Sequence, residues 1–114
     1  MYSIGEFSKI NRITPKTLRH YDRIGLLHPD RVDDWTGYRY YSSRQLPRIR
    51  MILKLKSLGL SLDEIRATLE GNERMISMLR RQEQRLNDEL QATETRIAQL
   101  REYLSLLQGE KHMS

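Results

Sequence analysis

The 114-residue sequence contains no cysteine, which excludes disulfides, thiolate metal sites, iron–sulfur clusters and thiol redox sensing. Its three histidines, His20, His28 and His112, fall at spacings that match no metal-ligand pattern. Neither a glycine-rich phosphate loop nor a Gly-x-Ser-x-Gly nucleophile turn occurs. No general acid and base can be paired, so neither an enzyme nor a metal or other cofactor is expected. No apolar run approaches the ~20 residues of a membrane span, and no membrane partner is expected. The opening Met1-Tyr2-Ser3-Ile4-Gly5-Glu6 lacks the basic and apolar regions of a signal peptide, so cytoplasmic residence is the expectation.

Negative charge is missing from one stretch in particular. From Trp35 to Leu62 there is no acidic residue, and the same window carries Arg39, Arg44, Arg48, Arg50, Lys54 and Lys56. Residues 1–70 hold 13 lysines and arginines against 8 acids, whereas residues 71–114 hold 7 of each. The net charge of +5 therefore lies wholly in the first part. A segregated basic block is what a polyanion-binding surface needs, although a solvated basic face with no partner has the same composition. Apolar residues make 38% and charged residues 31% of the chain. That balance suits elongated structure better than a single deep core.

Local signals divide the chain. Ser3-Ile4-Gly5-Glu6 fits a capping box, and Ile4, Phe7 and Ile10 follow at helical spacing, giving a first helix over about residues 4–11. Thr14-Pro15 is a second helix start, with Leu18 and Tyr21 on its buried side and Gly25 at its end. Two short helices about three residues apart make a helix-turn-helix. Asp33 to Gly37 is turn chemistry between Arg31-Val32 and Tyr38-Arg39-Tyr40-Tyr41, which reads as a β-hairpin wing. Ser42 or Ser43 caps a third helix to about Ser57, with Leu46, Ile49, Leu53 and Leu58 inward. Ser61-Leu62-Asp63-Glu64 caps a fourth, to about Leu69, and Gly71-Asn72 breaks it.

From Glu73 to Gln108 there is neither proline nor glycine. A 3,4 alternation runs through Ile76, Leu79, Glu83, Leu86, Leu90, Thr93, Ile97, Leu100, Leu104 and Leu107. Eight of these ten positions are apolar, which is the pattern of a heptad coiled coil. The seam needs a partner, and a second copy of the chain is the expected one; folding of the helix back onto the N-terminal part is the alternative. Glu83 and Thr93 interrupt the seam and can fix register.

Taken in order and spacing, these fragments resemble the MerR (mercury-resistance regulator) family of bacterial transcription regulators. The resemblance rests on Ser3 to Lys9, Thr14 to Asp22, Ile24 to Leu27, Thr36 to Tyr41, Leu58 to Ile65 and the terminal heptads. It implies a mainly α fold: a winged helix-turn-helix domain over 1–70 with a small β-hairpin wing, a long antiparallel dimerisation coiled-coil helix over 72–108, and a tail or truncated linker over 109–114. It further implies a homodimer on promoter DNA that activates by bending and untwisting an overlong promoter spacer, with RNA polymerase as a partner through the shared promoter. A coiled-coil architectural or adaptor DNA-binding protein without ligand control is the alternative.

Carried onto this sequence, the resemblance assigns DNA contact to Lys16, Thr17, Arg19, His20 and Tyr21 on the second helix and to Tyr38, Arg39 and Tyr40 on the wing. Arg44, Arg48, Lys56 and Ser61 extend the track. As bare sequence, the residues of the second helix are more often plain helix surface, Tyr38 to Tyr41 fit a plain hairpin with aromatic packing, Arg44, Arg48 and Lys56 are as readily solvated charge, and Tyr21 also fits the core. Dimerisation falls to Ile76, Leu79, Leu86, Leu90, Ile97, Leu100, Leu104 and Leu107. Two features depart from the family pattern. Arg12 stands where many members have glycine, and almost nothing follows the coiled coil, where members carry an effector-sensing segment. With no cysteine, the opening is most similar to the multidrug- and small-molecule-sensing branch, whose effector the sequence does not name.

Overall fold

The first helix begins where a side chain can satisfy its free N–H groups. In the computed structural model, which describes residues 1–109, Ser3 Oγ accepts the Glu6 N–H at 3.1 Å and Glu6 Oε1 accepts the Ser3 N–H at 2.9 Å. This reciprocal cap opens helix α1 (Ile4–Asn11). The Ser3 N–H also holds the Glu6 carboxyl below its usual range. Helix α2 (Pro15–Arg23) starts in the same way: Thr14 Oγ1 accepts the Thr17 N–H at 3.0 Å, and proline occupies the first turn, where its missing N–H costs nothing.

The turn between them keeps its geometry without glycine. Arg12 adopts φ 56° and ψ 42°, the left-handed conformation, and its N–H returns to the carbonyls of α1. A side chain there costs roughly 1–2 kcal/mol, because Cβ crowds the following carbonyl.

Three short strands form an antiparallel sheet in the order β1-β3-β2: β1 (Tyr2–Ser3), β2 (Arg31–Val32) and β3 (Arg39–Tyr41). Arg31 faces Tyr40 and Val32 faces Arg39 across the expected hairpin. Tyr38 lies just outside strand β3 but accepts the Asp33 N–H through its carbonyl. Strand β1 was not expected from sequence. It pairs Tyr2 with Tyr41 and Ser3 with Tyr40, so the chain start forms the other edge of the wing sheet.

The first unit, residues 1–75, has its core where these elements meet. Phe7, Leu18, Tyr21, Leu26, Leu27 and Tyr41 are buried. The Tyr41 ring lies flat on Phe7, with centroids 4.6 Å apart and planes 8° apart. Burial first, and then the Asp22 charge, push the Tyr41 phenol up to about 12. A single 3-10 turn, Ser43–Gln45, leads into α3 (Leu46–Ser57), and Ser61 caps α4 (Leu62–Thr68) with its own reciprocal box. The buried face of α3 is Ile49, Ile52 and Leu55. Leu46 and Leu53 are half-buried and Leu58 is exposed, so Leu58 is corrected from core to surface. The apolar residues of α3 nearly encircle it, and tertiary contact chooses the face.

Helix α5 (Asn72–Gly109) runs unbroken for 38 residues, and from Ile76 on it constitutes the second unit. Gly109 is still helical; the rest of the expected tail, 110–114, lies outside the described residues. Leu79 is half-buried. The other seven apolar seam positions, from Ile76 to Leu107, are 42–60% exposed.

Replacing Arg12 with glycine should relieve the left-handed strain and raise stability by up to about 1 kcal/mol after the entropic cost of glycine. Thermal unfolding of Arg12→Gly checks this. A loss of stability would mean that the arginine side chain contributes more than its backbone costs.

Candidate nucleic-acid interface

Helix α2 presents its polar side to solvent because Leu18 and Tyr21 take the core side. Lys16 and Arg19 are exposed, and His20 is half-buried. Thr17 is half-buried, with its hydroxyl 2.9 Å from that of Thr14, so it serves the cap as well as the surface. Tyr21 is 1% exposed and is a core residue, and burial raises its phenol above the ordinary value.

The wing stands beside this helix. A groove of about 300 Å³ is lined by Ser3 and Ile4, by Arg19 of α2, and by Gly37, Tyr38, Arg39 and Tyr40 of the wing. Helix and wing therefore share one concave surface with an arginine from each. Tyr38 is exposed, and Tyr40 lies under the Arg31 guanidinium at 5.0 Å, a cation–π contact across the hairpin. Trp35, at the tip of the turn, is 96% exposed. Asp33 Oδ1 shapes that turn by accepting the N–H groups of Trp35 and Thr36 at 2.9 and 3.0 Å.

Arg39 is not a free cation. Its Nε donates to Asp22 Oδ2 at 3.0 Å, and His28 Nδ1 lies 2.7 Å from the other oxygen of the same carboxylate. Asp22 thus bridges α2, the segment after it and strand β3. Burial alone would raise its carboxyl, but the hydrogen bonds from His28 and Arg39 outweigh this and hold it below the usual carboxylate range. Sequence reasoning missed Asp22 as a site residue. The available signal was its position as the single acid on an otherwise cationic helix.

The remaining expected contacts divide by their internal partners. Arg44 is exposed and faces Asp30 at 3.3 Å, an exposed pair of little energetic weight. Arg48 spends Nε and Nη2 on the Leu26 carbonyl, both at 3.2 Å, and Arg66 reaches the Ile24 carbonyl at 2.8 Å. These two arginines brace the end of α2 through neutral carbonyls, and Arg66 also faces the Asp63 carboxylate at 3.4 Å. Lys56 is exposed on α3. Ser61 is committed to its cap: its Oγ accepts the Glu64 N–H at 3.2 Å, and its N–H donates to Glu64 Oε1 at 3.0 Å. The structure thus brings Lys16, Thr17, Arg19, Tyr38, Arg39 and Tyr40 onto helix and wing side by side. Of the expected contacts, Arg19, Tyr38, Arg39 and Tyr40 line the groove, and Lys16, Thr17, His20, Tyr21, Arg44, Arg48, Lys56 and Ser61 do not.

A helix-turn-helix capped at Ser3 and Thr14 and flanked by this wing has known counterparts. The family model described as MerR HTH family regulatory protein matches residues 2–72, and the one described as MerR, DNA binding matches 46–109. The chain belongs to the MerR family. It is 36% identical over 112 residues to the transcriptional regulator BrlR of Pseudomonas aeruginosa, covering 94% of this chain and 42% of that protein. Among solved structures it resembles EcmrR, seen with DNA in EcmrR-RPo, with a TM-score of 0.79 and 35% identity over 90% of this chain and 38% of that one. It also resembles HiNmlR, a MerR family regulator lacking the sensor domain and bound to promoter DNA. There the TM-score is 0.59 and the identity 28%, over 96% of this chain and 86% of that one. The chain spans less than half the length of the curated relatives it matches. This MerR family is one of regulators rather than enzymes. Among the described residues no helix is long and apolar enough to cross a membrane.

Because the Asp22 carboxyl is held below its ordinary value of 3.8, its contribution to stability is complete above that value and is lost as pH falls through the lower folded value. At neutral pH Asp22→Asn should cost about 1–2 kcal/mol. The gap in melting temperature between wild type and variant should begin to close only as the pH falls below about 4 and vanish below the lowered folded value. A gap that is constant or widens in acid would contradict the pairing.

Proposed function

We propose that this MerR-family chain binds double-stranded promoter DNA as a homodimer and regulates transcription from it. The observation that carries the reading is the groove in which Arg19 of α2 and wing Arg39 stand together, on a domain with no acidic residue from Trp35 to Leu62. A major groove admits one helix, whose N-terminal residues reach base edges. Lys16, Thr17, Arg19 and His20 take that role. The wing residues Tyr38, Arg39 and Tyr40 lie against the phosphate backbone, giving affinity and register rather than sequence. Arg44, Arg48 and Lys56 extend the positive field. Tyr21 supports α2 from beneath. Phosphate binding at Ser61 falls to the N–H groups that follow its cap.

Dimerisation uses the α5 seam. Each Leu or Ile there offers about 1.5–3 kcal/mol on full burial, and a second copy supplies an identical, antiparallel seam. Residues 1–70 act as the reading head, 72–108 as the dimerisation helix, and 109–114 as a tail or linker. Two heads on one duplex can bend and untwist an overlong promoter spacer, which costs about 1–6 kcal/mol. That cost is offset by the wing contacts. RNA polymerase is then a partner through the shared promoter, and the cytoplasm is the site of action. The regulator HiNmlR, which lacks a sensor domain, supports a reading in which this module acts on DNA without one.

Three outcomes are expected. Leu90→Asp with Ile97→Asp buries charge mid-seam and should split the dimer in sedimentation; a variant that stays dimeric with full DNA affinity would point to another interface. If each protomer neutralises about four to six phosphates, log K should fall with log salt at a slope near −7 to −11, and a slope shallower than about −3 would contradict the basic track. Arg19→Ala should cost about 1–3 kcal/mol per half-site and relax preference at one base pair, whereas Arg39→Ala should weaken all duplexes alike. Affinities for single-base variants of a bound site, with preference lost in Arg39→Ala instead, would reverse the roles of helix and wing.

A further inference from the structure

Asp22 is placed oddly for a protein that binds a polyanion. It is the single acid on α2, and on electrostatic grounds it repels phosphate. Yet both of its oxygens are engaged, one by His28 at 2.7 Å and one by Arg39 Nε at 3.0 Å. A guanidinium is planar and rigid, so fixing Nε fixes the plane and the direction of the Nη pair. Among the described residues the Arg39 side chain bonds to Asp22 alone; it stays about one-third exposed and lines the groove with Arg19. The backbone beneath it is held by pairing with Val32, and His28 holds the carboxylate from its other side.

We infer that Asp22 is a positioning residue for DNA binding: it aims the Arg39 guanidinium so that its free Nη groups meet a backbone phosphate. This rests on the DNA-binding reading above and adds a residue that carries the wrong charge for direct contact. The two possible roles of Asp22 predict opposite signs. If it is only an acid near DNA, neutralising it removes repulsion and binding tightens. If it aims Arg39, neutralising it frees the side chain to many rotamers and a phosphate contact is lost.

The test measures binding of a mixed-sequence duplex by wild type, Asp22→Asn, Arg39→Ala and the double variant over a range of salt, with melting temperatures recorded for each. The positioning role predicts that Asp22→Asn binds about 3- to 10-fold more weakly, with a salt slope shallower by about 1 per protomer. Asp22→Asn should add no further loss of slope in the Arg39→Ala background. Tighter or equal binding by Asp22→Asn, with the wild-type slope, overturns the inference while leaving the DNA-binding reading intact. A wild-type slope in Arg39→Ala overturns both that contact and the inference built on it. Should Asp22→Asn not fold, Arg39→Lys serves instead, since it keeps the charge but loses the planar fork. A reduced slope in Arg39→Lys supports positioning, and the wild-type slope overturns it.

Discussion

The flat contact between Tyr41 and Phe7 holds the helix-turn-helix and the wing together. Tyr41 belongs to the central strand of the wing sheet, and Phe7 belongs to the first helix of the helix-turn-helix. Stacked aromatic rings at this separation add about 0.5–1.5 kcal/mol beyond their buried area. Their larger effect is geometric. With Tyr41 seated, the alternation of the strand puts Arg39 on the same side of the sheet and Tyr40 on the other. Arg39 then reaches Asp22 on α2, and Tyr40 lies beneath Arg31. Helix and wing cannot drift apart without unstacking the rings and breaking the carboxylate bridge.

The far end of α2 is held by hydrogen bonds as well as by the buried Leu26 and Leu27. Arg48 from α3 and Arg66 from α4 donate to the carbonyls of Leu26 and Ile24, which lie past the last helical turn and would otherwise lack partners. Positive charge near a helix C-terminus is also favoured by the backbone dipoles. Arg48, which adds to the positive charge of the domain, therefore also helps to position α2. Such double use explains how a small domain with a modest core can present so much like charge and still fold.

Much of this was legible in the sequence, and the reasons differ by element. The starts of α1, α2 and α4 were readable because a cap is a local event between residues three apart: Ser3 with Glu6, Thr14 with Thr17, Ser61 with Glu64. The long helix was readable from its unbroken period. Strand β1 was not, because two residues carry no period and their pairing partners lie some forty positions away. The buried face of α3 was misjudged at Leu58 because its apolar residues are too many to define one stripe. Asp22 was invisible as a site residue because its role arises from a contact 17 residues distant. The left-handed Arg12 shows the reverse case: where glycine was expected, arginine itself adopts the left-handed conformation that glycine favours.

On the proposed function these features unite in a paired DNA reader, with one head per protomer and the apolar seam of α5 as the joint. Hydroxyl-radical footprinting on the chain's own upstream region tests this most directly, because it reports the number and the facing of protected backbone segments together. The account predicts two protected patches on one face of the duplex, separated by whole helical turns of about 34 Å. They should vanish together when the seam is broken. A single patch, or two patches that persist with the seam broken, would contradict it.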